Sequence, residues 1–226
     1  MVMDYRFNRV DPPQTSALPI ATAGYPFIAA AAFCTFVFAL LEIASLAILG
    51  LIATFFITYF FRDPERFVPA PEQAVVSPAD GRVVQAEVVD QNPFIEGRCL
   101  KIGIFMSIFN VHVNRVPFSG TIENTLYRPG KFLSANREAA SVQNEQQALI
   151  LETENRQKIG FVQIAGLVAR RIICRVQPGD AVIRGERFGL ICFGSRLDVY
   201  LPADVSADVA KGDRVKAGQS IIGYLV

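Results

Sequence analysis

The pattern of apolar and polar positions divides the 226-residue chain into two parts. Residues 25–61 are almost wholly apolar, and Glu42 is the one charged residue among them. The later run, residues 43–61, would form a helix about 28 Å long, which matches the apolar core of a bilayer. We therefore predict that residues 1–61 are an N-terminal tail followed by a membrane-associating helical segment.

Two arrangements of this segment agree with its sequence. It forms either one long tilted helix or a hairpin of two helices that turns near Glu42. Arg6 and Arg9 precede the apolar block, and Arg62 and Arg66 follow it. Because positively charged flanks stay on the cytoplasmic side of a membrane, this placement favours the hairpin. It also predicts a protein of the cell membrane whose remaining residues face the cytoplasm.

The pattern changes at Arg62, where a proline-rich connector begins. Beyond it we count about eight to ten short strand candidates, rich in β-branched and aromatic residues, and one helical stretch over residues 136–147. The predicted fold is α+β and mostly β, with a compact catalytic domain over residues 62–226. Residues 176–185 and 209–218 share the pattern V-x-x-G-D-x-V-x-x-G, which resembles the hammerhead turns of the hybrid-motif and lipoyl-like carriers.

Charge and cysteine content narrow the classes of function. The chain has 22 Lys and Arg against 21 Asp and Glu, a net charge of +1, so it carries no electrostatic footprint for nucleic acid. One histidine and four scattered cysteines provide too few neighbouring ligands for a zinc site. We expect no bound metal, and we expect reduced cysteines in the core: Cys34, Cys99, Cys174 and Cys192.

Three segments carry candidate chemistry, although each residue taken alone also fits a structural role. His112, in FMSIFNVHVNRVPFSG, is the only imidazole available for acid–base catalysis near neutral pH. Asp80, in SPADGRV, either caps a turn or orients an imidazole. Ser195 follows Gly194 in FGSRLDVYLP, which lacks the G-x-S-x-G sequence of a hydrolase nucleophile elbow.

These segments, in this order and spacing, resemble the phosphatidylserine decarboxylases, specifically their short bacterial and archaeal form. The resemblance extends from about Arg62 to the C-terminus and rests on FRDPER, SPADGRV, FMSIFNVHVNRVPFSG, YRPGKFLSAN, VQIAGLVARRI and GERFGLICFGSRLDVYLP. The apolar N-terminal region is similar to the family's membrane-associating part. The resemblance implies decarboxylation of phosphatidylserine to phosphatidylethanolamine and CO2 by a pyruvoyl-dependent enzyme.

The resemblance further implies a zymogen that cleaves itself. Ser195 Oγ would attack the Gly194 carbonyl, the chain would break between the two residues, and Ser195 would become the pyruvoyl cofactor. The products would be a β chain of residues 1–194 and an α chain of residues 195–226, which remain associated as a heterodimer, with or without assembly into a higher oligomer. The pyruvoyl carbonyl would form a Schiff base with the amine of the phospholipid substrate, and Asp80 and His112 would assist Ser195.

Arg115 is a departure from the family pattern. Longer bacterial members carry a second histidine three residues after the first, where this chain has Arg115. Either His112 therefore serves both self-cleavage and decarboxylation, or self-cleavage relies on Asp80 and the backbone. Arg115 is also a candidate contact for the substrate phosphate, because a guanidinium suits phosphate oxygens.

Three alternatives remain. A membrane-tethered, non-enzymatic carrier would explain the doubled turns, but Lys158, the nearest candidate for modification, lacks the flanking methionines of carrier sites. A membrane-tethered serine hydrolase would require the missing elbow. A decarboxylase of an archaeal-type serine ether lipid would use the same pyruvoyl chemistry. Only the pyruvoyl enzymes predict cleavage between Gly194 and Ser195.

Overall fold

The computed structural model describes residues 19–137, 139–167, 171–192 and 194–225. The chain separates into two compact units, and the boundary between their described parts falls between Glu65 and Arg66. Most of the predicted N-terminal tail, including Arg6 and Arg9, lies outside the described residues. The two units are considered separately below.

The N-terminal unit consists of two apolar helices. A short 3-10 turn (Thr22–Gly24) leads into α1 (Tyr25–Leu40), and α2 (Ala44–Phe60) follows. Proline in the first turn of α1 favours this start because its fixed φ already suits a helix. Glu42 separates the helices with a φ of +58°, a left-handed conformation that a right-handed helix does not continue through. The segment is therefore two helices and not one long helix.

One helix among the described residues is long and apolar enough to cross a membrane. It is Thr22–Leu40, which includes the 3-10 turn, and α2 is shorter. Few of the residues of this helix are buried within the structure. The length and composition of this helix are those of a membrane anchor, although a signal sequence or a buried core helix can have the same length and composition.

The second unit is mostly β, which confirms the predicted fold class. A single short helix, α3 (Ala140–Gln143), is described in it, and the helix predicted over residues 136–147 is wrong in extent because strand pairing begins again at Gln146. The strands, in chain order, are β1 (Ala74–Val76), β2 (Gly81–Val89), β3 (Cys99–Met106), β4 (Val113–Arg115), β5 (Gly120–Arg128), β6 (Gln146–Glu152), β7 (Lys158–Ala165), β8 (Ile172–Cys174), β9 (Ala181–Val182), β10 (Arg187–Ile191), β11 (Ser195–Pro202), β12 (Arg214–Val215) and β13 (Ile221–Tyr224).

An antiparallel sheet of eight strands forms the frame of this unit, in the order β12-β2-β3-β11-β7-β6-β5-β9. β11 is central, and its first residue, Ser195, pairs with Met106 on β3 and with Ala165 on β7. Side chains alternate between the faces of a strand, so Ser195 shares the core face with Leu197 and Val199. Two smaller sheets, β4-β10-β8 and β1-β13, complete the unit.

The large sheet repeats its own pattern about its centre. Its strand order reads the same from both edges when β12, β2, β3 and β11 are matched with β9, β5, β6 and β7. The two V-x-x-G-D segments occupy matching places, because each leads into an edge strand of the sheet, β9 or β12. Their turns are also alike, since Asp180 accepts from Gln177 N–H at 2.9 Å and Asp213 accepts from Ala210 N–H at 2.8 Å. Their predicted turns are confirmed, since all four glycines of the pattern have positive φ: Gly179, Gly185, Gly212 and Gly218.

Candidate active site

The peptide between Gly194 and Ser195 lies where the chain enters the central strand. Gly194 has a φ of +70°, a region that side chains rarely adopt. A Cβ added to Gly194 would meet nothing closer among the described residues than Ile108 Cγ2, at 3.9 Å. Glycine is therefore required at this position by the backbone conformation and not by crowding.

The Ser195 hydroxyl is buried in the interior beside neutral groups. Its Oγ lies 3.4 Å from Met106 Sδ, and a thioether is a weak acceptor that holds a hydroxyl loosely. Asn114 Nδ2 approaches the same sulfur at 3.7 Å, and Asn114 Oδ1 accepts from Gln163 Nε2 at 2.9 Å. Gln163 Oε1 is buried and has no hydrogen-bond partner in the described part of the chain.

The sequence analysis did not identify this pair of amides. Gln163 interrupts the apolar strand GFVQIAG, and Asn114 lies two residues after His112, also in a largely apolar segment. A polar side chain at a core-facing position in such a strand is the signal that could have found them, because a buried amide usually needs a specific partner.

His112 reaches the backbone of Gly194. Its Nε2 accepts from Gly194 N–H at 3.2 Å, and its Nδ1 lies 3.0 Å from the carbonyl oxygen of Asn110. Because a backbone N–H can only donate, Nε2 carries the lone pair and Nδ1 carries the proton, an assignment made from the bonding partners. The structure therefore brings together His112 and the Gly194–Ser195 pair, with a neutral imidazole acting as acceptor.

The hydrogen bonds of Asp80 hold a neighbouring turn. Its Oδ2 lies 2.9 Å from Arg66 Nη2, and its Oδ1 accepts from Ala217 N–H at 2.8 Å. Two residues before it, the Pro78 carbonyl accepts from Arg115 N–H at 2.9 Å. The Asp80 turn is thus hydrogen-bonded to β4, the strand that begins directly after His112.

Arg115 is buried between the two repeated turn segments. Its Nη1 donates to the carbonyl of Gly185 at 2.8 Å, and its Cδ would lie 2.9 Å from a Cβ added to Gly218. These glycines are the last residues of the two V-x-x-G-D-x-V-x-x-G patterns. At least one nitrogen of the Arg115 guanidinium is therefore hydrogen-bonded to the protein backbone. The contact of Arg115 with a substrate phosphate stays a prediction.

The cysteines are all free thiols, and three of them are at least partly buried. Burial raises the pKa of Cys99, Cys174 and Cys192 above the usual value, because an apolar environment disfavours the thiolate. Cys34 is exposed on α1, so the expectation of a core position is wrong for this residue. Within the described ranges, no cluster of three His, Cys, Asp or Glu side chains could hold a metal ion.

Lys158 does not have the surroundings of a carrier lysine. It is the first residue of β7, and its Nζ lies 2.7 Å from Glu123 Oε1. This hydrogen bond raises the pKa of Lys158, which keeps the amine protonated. A lysine that is to be acylated by a cofactor needs a free amine, so this geometry gives no support to the carrier alternative.

Comparison with known proteins identifies the family. Residues 53–223 match the family described as phosphatidylserine decarboxylase. The chain is 50% identical over 209 residues to the phosphatidylserine decarboxylase proenzyme of Desulfotalea psychrophila, covering 92% of this chain and 98% of that protein. It is 51% identical over 207 residues to the proenzyme of the same name from Geotalea uraniireducens, covering 92% and 97%. The chain therefore belongs to the phosphatidylserine decarboxylase family, as its motifs predicted.

Proposed function

We propose that the chain decarboxylates phosphatidylserine to phosphatidylethanolamine and CO2, using a pyruvoyl group that it makes from Ser195 by cleaving itself. The observation that carries this proposal is the hydrogen bond from Gly194 N–H to His112 Nε2, directly beside the Gly194–Ser195 peptide. Membership of the family supports the reaction. The name proenzyme, given to the relatives, denotes a precursor that is processed.

Self-cleavage begins with attack of Ser195 Oγ on the carbonyl carbon of Gly194. The C–N bond breaks, the nitrogen takes up a proton, and an ester then joins Gly194 to Ser195 Oγ. Loss of the Ser195 Cα proton and breaking of its Cβ–Oγ bond release Gly194 as a carboxylate and leave a dehydroalanine. Hydrolysis with one water molecule expels the nitrogen as ammonia.

His112 is the base in this proposal. A serine hydroxyl needs a proton acceptor near neutral pH, and the unprotonated Nε2 of His112 lies beside the peptide that is to be broken. The same nitrogen can return the proton to the departing amine. Because Arg115 occupies the place of the second histidine, we assign both self-cleavage and turnover to His112.

Asp80 is a positioning residue in this proposal. Each of its carboxylate oxygens has a described hydrogen-bond donor, Arg66 for Oδ2 and Ala217 for Oδ1. Its turn is joined to β4 through the bond between Pro78 and Arg115, so the carboxylate supports the strand that follows His112. Asp80 thereby assists Ser195 through the backbone on which the imidazole is mounted.

The surroundings of Ser195 fit a pyruvoyl group. The enclosed side chain lies against Met106 Sδ, where a methyl group would have an apolar contact in place of a weakly held hydroxyl. Pairing with β3 and β7 fixes the first residue of β11 on both sides. When formed, the group supplies an electrophilic carbonyl for the substrate amine and accepts the electron pair left by CO2. His112 is the residue placed to return a proton.

Exposed apolar side chains lie at the end of the sheet that carries Ser195, and contact with a bilayer would account for their exposure. Ile108 and Phe109 lie in the loop that follows β3, next to the strand end that carries Ser195, and Phe109 is 63% exposed. Leu167, two residues after β7, is 65% exposed. We propose that these side chains contact the cytoplasmic surface of the cell membrane, where a serine headgroup becomes accessible to the catalytic unit.

Ser195→Ala tests the cleavage. Intact mass spectrometry of the wild-type chain should give two polypeptides separated after Gly194, and the Ser195→Ala chain should remain whole, because no hydroxyl is present to attack. Ser206→Ala, at an exposed serine of the same segment, is the matched control and should be processed normally. Cleavage of the Ser195→Ala chain at the same bond would contradict the mechanism.

His112→Ala tests the assigned base. We expect processing or turnover per processed chain to fall by about 100-fold or more, the usual contribution of a positioned acid–base group. Chain cleavage is followed by mass, and turnover by CO2 released from phosphatidylserine. A variant that is fully processed and decarboxylates at nearly the wild-type rate would remove His112 from the site.

The two chains should remain associated after cleavage. The α chain would contain β11, β12 and β13, which pair with β3 and β7, with β2, and with β1 of the β chain. Separation would expose unpaired strand edges and the apolar face of β11. Native mass spectrometry in mild detergent should detect both chains in one species and separate them only after denaturation. Release of the α chain under native conditions would contradict this expectation.

Phe109→Trp tests contact with the membrane, because the chain has no natural tryptophan. In vesicles of phospholipid brominated on the acyl chains, its fluorescence should be blue-shifted and quenched. Val88→Trp is the control: Val88 is exposed and lies level with Leu201, about 20 Å along the sheet from Ser195. Quenching of Phe109→Trp no stronger than that of Val88→Trp would place this loop away from the bilayer.

A further inference from the structure

The carbonyl group of Gly194 packs directly on the backbone of Gly166, the residue that follows β7. A Cβ added to Gly166 would overlap the carbonyl oxygen of Gly194 and would lie 3.0 Å from its carbonyl carbon. It would also lie 3.3 Å from Ala135 Cβ. No side chain can therefore be accommodated at Gly166 while the Gly194 carbonyl keeps its place.

The backbone conformation of Gly166 does not explain why glycine is present. Gly194 has a positive φ, whereas Gly166 is not among the described glycines with positive φ, so an L side chain would be allowed by its φ. The space occupied by the Gly194 carbonyl is the remaining constraint on this residue.

This carbonyl carbon is the atom that Ser195 attacks in the proposed self-cleavage. Ser195 is held opposite Ala165, and the next residue of that strand's chain is Gly166. Ala165 therefore fixes Ser195 by strand pairing, and Gly166, the next residue, leaves the space that the Gly194 carbonyl occupies. We propose that Gly166 is a positioning residue for self-cleavage: its missing side chain lets the Gly194 carbonyl adopt the orientation in which Ser195 Oγ reaches the carbon. This inference rests on the proposed function.

Gly120 provides a matched control. A Cβ added to Gly120 would overlap the carbonyl oxygen of Glu152 and would lie 3.0 Å from the carbonyl carbon, so the conflict with the backbone is of the same kind. It would also lie 2.8 Å from Leu151 Cδ2, so the control is at least as crowded as Gly166. Glu152 pairs with Lys158 at the start of β7, about 23 Å along the strand from Ala165. The control thus places the same conflict in the same sheet, but at the end away from Ser195.

The experiment compares Gly166→Ala with Gly120→Ala in the full chain, synthesised in a cell-free system with lipid vesicles and sampled over time. Gly166→Ala should slow the appearance of the 1–194 fragment by about 100-fold, the cost expected when reacting atoms are displaced by about 1 Å. Gly120→Ala should be processed within a few-fold of the wild-type rate. Hydroxylamine, which cuts esters, should give no fragment from Gly166→Ala, because the ester does not form.

Folding is measured separately in the uncleavable Ser195→Ala chain carrying either alanine. We expect the two double variants to have similar midpoints of thermal unfolding. A much lower midpoint for the Gly166 variant would assign the residue to stability and overturn the inference. Processing of Gly166→Ala at the wild-type rate, or its rapid cleavage by hydroxylamine, would do the same. A wild-type chain that is never cleaved, or a Ser195→Ala chain that is, would instead refute the proposed function.

Discussion

The pairing of β11 with strands on both sides is the constraint on which the rest of the site depends. Its register with β3 is continuous from Ser195 opposite Met106 to Pro202 opposite Cys99, and β7 pairs with it on the other side. The strand begins abruptly at Ser195, and the residue before it leaves the sheet through a left-handed conformation. Ser195, the proposed nucleophile, is therefore held by backbone pairing on both sides, while the bond that it would attack lies just outside the ladder. Cutting this bond would remove no strand pairing from the new α chain.

Buried charges make that register specific. Arg196 and Asp198 lie on the face of β11 opposite Ser195, and both are buried. Arg196 Nε donates to Asp198, and Lys101 Nζ lies 3.3 Å from the other oxygen of the same carboxylate. Such pairs contribute little net stability because of desolvation, but an unpaired buried charge is costly. A slip of one residue would turn both charges into the apolar core and would move Ser195 to the wrong face, so the pairs disfavour that alternative.

Local signals predicted part of the fold, and tertiary contacts decided the rest. The segment GRVVQAEVV is one strand from end to end, and the Gly-Asp turns form as expected, because alternation and glycine conformation are encoded within a few residues. The run RFGLICFGSRLDVYLP contains two strands, β10 and β11, and tertiary pairing places them in different sheets. The helix predicted over residues 136–147 shortened to one turn because residues from Gln146 onward pair with β5 and β7.

The same distinction applies to the site. His112 and Ser195 could be identified as candidates because one is the only histidine and the other lies in a recognisable motif. Asn114, Gln163 and Gly166 could not, because they come near Ser195 and Gly194 only when strands that are distant in sequence pack together. A glycine in particular has no chemical signature in a sequence, and its role becomes visible only through the group that fills its space.

The internal repeat of the sheet allows the backbone geometry at Gly194 to be compared with the corresponding position in the other half of the sheet. The repeat makes each residue of β11 correspond to a residue of β7. When the strand pairings are followed from each edge of the sheet to its centre, Arg196 corresponds to Lys158, and Gly194 therefore corresponds to Arg156. Both residues have positive φ, +70° and +60°, so the left-handed step before a central strand occurs in each half. Arg156, however, belongs to the tight connection between β6 and β7 and is followed by a glutamine. Backbone conformation alone would therefore not make a peptide bond reactive. In the proposed mechanism, reactivity at Gly194 depends on two groups that Arg156 lacks: a hydroxyl on the next residue and an imidazole hydrogen-bonded to the amide.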